Sequence, residues 1–311
     1  MPWCAVSDRQ TGATVIIATL NRGEFLLDTL KDLVAQDYSP LEIMVVDQSM
    51  ATETPGPAEK FARGYTDLIR YHRVNFRGLP QARNHAWQNA KYEALIFVDD
   101  DIRCGPCLVR EHLQTLRFPG VGMVAGGVEE RTLAPDLDAD PGKFSFWTAT
   151  PVRSFAARRE CPAMHVAGCN FSIWRSVLQQ AGGVDEALAQ GAALYEETEL
   201  CLRVTDCGFH IRFNGSARVL HLLAGQGGCR TPDMSSYVAS LAHNRTILID
   251  RYLTWFQMPS AYIRLLLLIT SYAAHHRNPG LLSTGFQGIV TGRQAAQRPR
   301  LCANYQIGER V

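Results

Sequence analysis

Between residues 13 and 98 the apolar positions alternate between two rhythms. Apolar runs with β-branched residues at 13–19, 42–47 and 94–98, and a shorter strand-like run at 69–73, are separated by stretches at 23–36, 57–63 and 79–90 where apolar side chains recur every three or four positions. The first rhythm predicts strands and the second amphipathic helices. Strands joined by helical crossovers pair in parallel and are covered on both faces, which accounts for the unbroken apolar runs Val15-Ile16-Ile17 and Ile43-Met44-Val45-Val46. The expected class is α/β, an open sheet whose ligands bind beyond the carboxyl ends of its strands.

Past this region the pattern predicts a helix over 106–117 opened by Pro106, and a strand over 121–128. The stretch 129–162 carries Pro135, Pro141, Gly142 and Pro151, reads as irregular, and is long enough to suggest a mobile lid. Next come a strand region at 165–171, a helix at 174–181 stopped by Gly182-Gly183, and a helix at 196–207 ended by Gly208. Two strands follow, at 210–213 and 218–222. From Ser235 onward the chain is helical and strongly apolar, most of all over 265–269, with Arg245, Arg251, Arg264 and Arg277 among the apolar residues. Such helices pack on the main domain or rest an amphipathic face on a membrane surface.

Composition narrows the class. The 311 residues are 46% apolar and carry a formal net charge of +1, so a sizeable core forms and no uniform basic field marks a nucleic-acid partner. The first eleven residues lack the layout of a secretory signal and no run of about 18 apolar residues is present, so a cytoplasmic protein is expected. Nine scattered cysteines do not form a disulfide framework. Cys104-Gly105-Pro106-Cys107 has redox spacing, but three preceding aspartates would raise a thiol pKa where redox chemistry needs it lowered. The alternation Asp136-x-Asp138-x-Asp140 resembles a calcium loop, yet Pro141 replaces its glycine and Trp147 its closing glutamate, so calcium is rejected there.

The decisive chemistry is Asp99-Asp100-Asp101 at the end of a buried strand, where three carboxylates repel unless something positive compensates them. Mg²⁺ or Mn²⁺ does so while keeping positions open for phosphate oxygens; the bland alternative is a capping turn. Asp47 also ends a strand at the ligand edge, where it can accept from a ribose or base, or simply cap a turn. In Asn75-x-x-Gly78-x-x-x-x-Arg83-Asn84 a glycine permits close backbone approach and an arginine addresses phosphate or carboxylate.

With Thr19-Leu20-Asn21-Arg22, Val45-Val46-Asp47-Gln48-Ser49, Asn75 to Asn84 and Phe97-Val98-Asp99-Asp100-Asp101 in this order, the chain resembles the family 2 glycosyltransferases of the GT-A fold. The resemblance continues through Gly168-Cys169-Asn170-Phe171, Gly182-Gly183-Val184-Asp185-Glu186, Glu196-Glu197-Thr198-Glu199-Leu200, Arg203, Gly208 and His221. It implies a GT-A domain at 12–225, with a nucleotide-binding half at 12–128, an acceptor-binding half at 129–225 and a mixed, mostly parallel sheet, followed by a helical extension at 226–311. It further implies that Thr19, Asn21, Arg22, Asp47, Arg83, Asp99 and Asp100 hold a nucleotide, and that Asp99, Asp101 and His221 hold Mn²⁺ or Mg²⁺. Gly168, Asn170 and Glu196 would lie near acceptor or sugar. Family members usually have Glu-Asp where this chain has Glu196-Glu197, the second acid serving as base. Glu197 is therefore the candidate, its extra methylene changing the reach by about 1.5 Å, with Glu196 and Glu199 as alternatives. Val184 and Gln48 also depart from the common aromatic and acidic residues.

The implied reaction is inverting transfer of a sugar from a UDP- or dTDP-sugar to a glycan, lipid-linked or small-molecule acceptor. Metal-dependent nucleotidyl transfer or phosphohydrolysis, or a silent nucleotide-sugar-binding protein, would use the same frame. Contact with the inner face of a membrane through the C-terminal helices and self-association are the further partners this pattern permits.

Overall fold

The computed structural model describes residues 11–50, 55–131, 137–138, 140–152, 154–225, 227–228 and 233–297. The N-terminal stretch read for a targeting signal, Asp136 of the aspartate alternation, and 298–311 of the expected extension lie outside these residues.

The chain begins with β1 (Ala13–Thr19), α1 (Gly23–Val34), β2 (Leu41–Asp47), α2 (Pro57–Arg63), β3 (Ile69–Arg73), α3 (Leu79–Asn89) and β4 (Ala94–Val98). β5 (Ile102–Cys104), α4 (Leu108–Leu116), β6 (Val121–Glu130), β7 (Lys143–Ser145), β8 (Thr150–Val152), β9 (Glu160–Ala163) and β10 (Asn170–Trp174) follow. The remainder is α5 (Arg175–Gln180), a 3-10 turn at Glu186–Leu188, α6 (Glu196–Asp206), β11 (His210–His221), α7 (Met234–Tyr252), α8 (Met258–His275) and α9 (Gly280–Ala296).

The main sheet runs β3-β2-β1-β4-β10-β6-β11-β5, with β9 also paired to β11. β1 to β4 pair in parallel, as do β6 and β11, while β10 runs antiparallel between β4 and β6. This is the mixed, mostly parallel sheet that the GT-A resemblance implies. Every β4 residue is buried, and the Val15, Ile16, Ile17, Val45, Val46 and Phe97 side chains form part of one core; Phe97 stacks on Phe171 across the β4–β10 pair at 4.8 Å between ring centroids. A second apolar cluster joins α7–α9 to Phe144, Ala149, Tyr195 and Leu202.

Four expectations need correction. Pro106 does not open the fourth helix: its carbonyl accepts from the Asp37 N–H at 2.8 Å, holding it in a turn, and α4 starts at Leu108. The stretch 129–162 is not irregular throughout, since β6 extends to Glu130, β7 and β8 form a hairpin, and β9 pairs with β11. The strand expected at 165–171 starts only at Asn170, because the His165 ring is bonded to the Val166 and Val152 carbonyls and 165–169 forms a loop. The two strands expected at 210–222 are one, β11, with an irregularity between Asn214 and Arg218.

Candidate active site

Strand register brings distant residues to one sheet edge. Thr19 lies opposite Asp47 and Ile17 opposite Val98, so the chain leaving β4 places its three aspartates just beyond that edge. β10 starts there, with Asn170 opposite Val98, and β6 and β11 end there, with Glu130 opposite His221. The antiparallel β5–β11 pairing sets His221 opposite Ile102, the residue after Asp101.

The three carboxylates have different environments. Asp100 is buried, accepting from the Thr19 hydroxyl at 2.6 Å and from Arg22 Nη1 at 3.0 Å. Burial holds its carboxyl above the usual range, and Thr19 and Arg22 offset this only in part. The Thr29 hydroxyl is shared between the Asp100 and Ile102 carbonyls at 2.8 and 2.9 Å, which ties the turn to α1. Asp101 is fully buried; its Oδ2 accepts from the Ala224 N–H at 2.7 Å, and Arg22 Nη1 stands 3.4 Å away. Its Oδ1 is paired with His221 Nε2 at 3.2 Å and has no other partner among the described residues. Burial pushes the Asp101 carboxyl up, but His221, the Ala224 N–H and Arg22 outweigh it and hold it below the ordinary value. Burial likewise lowers the His221 imidazole, and the Asp101 and Asp99 carboxylates outweigh it, raising that pKa. Asp99 is one-third exposed, 3.8 Å from His221.

Ligand atoms of Asp99, Asp101 and His221 all lie within 4.8 Å of one another. Two carboxylates and an imidazole, with the buried Asp101 Oδ1 met only by that imidazole among the described residues, fit a divalent cation of the Mn²⁺ or Mg²⁺ type.

The acidic turn opens on a cleft of about 910 Å³ lined by Thr19, Arg22, Gln48, Arg77, Gly78 and Tyr237 among others. Gly78 has φ of 137°, a backbone conformation that costs glycine little, and its N–H donates to Gln48 Oε1 at 2.7 Å. A recess of about 180 Å³ also borders Thr19 and is lined by Asn21, Asp47, Tyr71 and Arg73. There Asp47 accepts from the Tyr71 hydroxyl at 2.7 Å and from the Ser49 N–H at 2.8 Å, with Arg73 at 3.4 Å. The Asn21 N–H donates to the Ser49 hydroxyl at 2.8 Å.

A second cleft, of about 660 Å³, is lined by Arg83, Glu130, Ser154, Gly168, Tyr195 and the acids opening α6. Asp99 and His221 line both clefts. Of the α6 acids, Glu196 is ion-paired with Arg83, whose Nη2 also donates to the Gly168 carbonyl at 2.7 Å. Glu199 accepts from Arg203 Nε at 2.8 Å and from the Tyr252 hydroxyl at 2.6 Å, and is 1% exposed. Glu197 lines the cleft, and its carboxylate makes no hydrogen bond among the described residues; its Cδ lies 3.7 Å from where a Cβ on Gly168 would sit.

Residues 14–182 match the model of glycosyl transferase family 2. The chain belongs to that family. It is 24% identical over 221 residues to the glucosyl-dolichyl phosphate glucuronosyltransferase of Haloferax volcanii, covering 68% of this chain and 69% of that protein. The fold is similar to that of the mannosyltransferase PcManGT from Pyrobaculum calidifontis, solved in complex with GDP-Man and Mn²⁺. That match has a TM-score of 0.57 and 17% identity, over 95% of this chain and 79% of the other. GalNAc-T7, solved with UDP, GalNAc and Mn²⁺, gives a TM-score of 0.60 at 16% identity, over 86% of this chain and 55% of that one.

In this family 2 glycosyltransferase the edge gathers most of the residues singled out from sequence. Thr19, Arg22, Asp99, Asp100, Asp101 and His221 line the large cleft, and Asn21 and Asp47 the recess beside it. Arg83, expected at the nucleotide, lines the second cleft together with Asp99 and His221 and is ion-paired with Glu196. Asn170, expected near the sugar, turns its amide into the protein, where Oδ1 accepts from His112 Nε2 at 2.8 Å and Nδ2 donates to the Gly127 and Ala217 carbonyls at 2.9 and 2.8 Å. The irregularity in β11 leaves the Ala217 carbonyl needing a donor, and the amide supplies one. Tyr71, Arg73, Arg77, Glu130, Ser154 and Tyr237 line these clefts and were not singled out. Arg73 and Arg77 flank the Asn75 motif, the one sequence signal that could have found them.

Cys104 and Cys107 are free thiols. Burial first, then Asp32, pushes the Cys104 thiol up to about 12; the expected direction holds, but the main cause is burial and not the three aspartates.

Proposed function

We propose that this glycosyltransferase moves a sugar from a nucleoside-diphosphate sugar in the large cleft to an acceptor hydroxyl in the second cleft, with inversion at the anomeric carbon. The observation that carries this reading is that Asp99 and His221 line both clefts while Glu197 faces the acceptor side. Glu197 takes the acceptor proton, the oxygen forms its bond to the anomeric carbon from the acceptor side, and the bond to the nucleoside diphosphate breaks into the large cleft. Glu196 and Glu199 are committed to Arg83 and to Arg203 with Tyr252, which supports Glu197 as the base. Arg83 is then a positioning residue for Glu196 and the Gly168 carbonyl.

Asp99, Asp101 and His221 would hold a divalent cation, Mn²⁺ or Mg²⁺, which neutralises diphosphate charge when bound. Arg22 keeps the acidic turn compact by engaging Asp100 and Asp101. Asp47 keeps acceptor capacity beside Tyr71 for a base edge or ribose, and the small recess supports a pyrimidine nucleotide: UDP first, dTDP second. Residues 12–225 would supply both clefts except for Gly227, Gly228 and Tyr237, which the extension 226–311 contributes, the last through α7.

The test is release of nucleoside diphosphate coupled to glycoside formation across a nucleotide-sugar panel with Mn²⁺. Glu197→Gln is expected to lower turnover at least about 100-fold while leaving donor-induced thermal stabilisation unchanged, and Asp101→Asn to remove metal-dependent donor binding. Full turnover in Glu197→Gln would refute the assignment of the base.

A further inference from the structure

α8 buries Ala261, Leu265, Ile269 and Ala273 and turns Ile263, Leu266 and Leu267 outward, the last two 50% and 58% exposed. α9 does the same, burying Leu281, Gly285, Gly288 and Gly292 while exposing Leu282, Phe286 and Val290. Single exposed apolar residues are ordinary, but three large ones on the outward face of each of two successive helices are not. At the start of α8 stands an aromatic cluster: Phe256 lies 6.0 Å from Trp147 and 5.8 Å from Trp255 between ring centroids, and all three are exposed.

Charge selects the occupant. Between Asp250 and Glu309 the sequence has no Asp or Glu, Arg264 and Arg277 are exposed on or between these helices, and Arg293, also exposed, pairs with Asp250 at 3.4 Å. A cationic rim around aliphatic and tryptophan side chains matches the headgroup layer of an anionic bilayer, where tryptophan prefers the interface and arginine meets lipid phosphate. No helix among the described residues is long and apolar enough to cross a membrane, so the match is to a surface.

We propose that the outward faces of α8 and α9, with Trp147, Trp255 and Phe256, dock this protein on an anionic lipid surface. The face connects to the acceptor side. Trp147 sits between β7 and β8, its carbonyl accepts from the Ser260 hydroxyl of α8 at 2.6 Å, and seven residues further on Ser154 lines the acceptor cleft. Seven extended residues span at most about 25 Å. Docking therefore holds the edge of the acceptor cleft at Ser154 within that distance of the surface, which favours a lipid-linked acceptor; that last step rests on the proposed transfer reaction, the docking does not.

The experiment is co-sedimentation of the full chain with vesicles of phosphatidylcholine alone and of phosphatidylcholine with about 30% phosphatidylglycerol, alongside light scattering of the protein without lipid. Binding is expected on the anionic vesicles, weakened but not abolished by raised salt, because apolar insertion survives screening. Leu266→Asp with Leu267→Asp, and separately Trp255→Ala with Phe256→Ala, should lower it at least about tenfold with unchanged circular dichroism. No binding to anionic vesicles at low salt overturns the proposal. So does a dimer in light scattering that either double variant dissociates while vesicle binding is unaffected, since the face would then join two copies of the chain. Neither readout uses catalysis, so failure here is distinct from failure of the transfer assay.

Discussion

Asn170→Ala should cost stability before it costs chemistry. The side chain is fully buried and serves three partners: the His112 ring, the Gly127 carbonyl and the Ala217 carbonyl. Truncation leaves all three without this partner, in a site where the amide packs so closely that a Cβ on Gly126 would come within 2.1 Å of its nitrogen. Each abandoned buried group costs about 1–3 kcal/mol, and with partial relaxation the sum is about 4 kcal/mol, a large share of the 5–15 kcal/mol that stabilises a typical domain. With an unfolding entropy of about 0.65 kcal/mol per kelvin for a chain this long, Tm falls by about 6 °C.

Asn170→Asp separates this role from that of a sugar contact. A buried carboxylate would face the Gly127 and Ala217 carbonyls, so the isosteric change should be at least as damaging as alanine. Chemical and thermal denaturation of both variants, with KM for donor and acceptor measured well below Tm, give the assay. A loss under about 1 kcal/mol together with a raised KM would refute the structural role and return Asn170 to the substrate.

Three other outcomes are expected. His112 is buried, and burial pushes its imidazole down to about 4. The unfolded chain takes up a proton near pH 6.5 that the folded one refuses, so stability is full above that pH and about 3 kcal/mol is lost as pH falls toward 4; denaturation across this window should be flatter in His112→Gln, and equal slopes would remove the argument. Replacing Cys104 and Cys107 together by Ser should leave transfer within about twofold of wild type, and activity that responds to oxidant only in the wild type would revive a redox role. Gly126→Ala should be destabilising by several kcal/mol, because the Asn170 amide and the Ala217 carbonyl, 2.1 and 2.6 Å from the new Cβ, are both held in place; a Tm near wild type would show that this part of the sheet yields.

β1, β2 and β4 were legible because each is buried on both faces, so its composition alone marks it, and the acids at the ends of β2 and β4 mark the functional edge. β7, β8 and β9 have three or four residues each and exist through pairing, β9 on a strand remote in sequence, so no local rhythm announces them. The same distinction governs the site. Asp47 and the three aspartates carry their meaning locally, whereas His221 reaches the acidic turn only through the β5–β11 register. Nor can spacing sort the acids of α6, because what distinguishes them is the company each keeps: Arg83 takes Glu196, Arg203 and Tyr252 take Glu199, and Glu197 faces the cleft. Asn170 is the sharpest case. Its place beside Val98 puts it at the functional edge, yet the irregular step in β11 opens a carbonyl behind it, and the direction of one amide is set by a defect in a strand more than forty residues further along the chain.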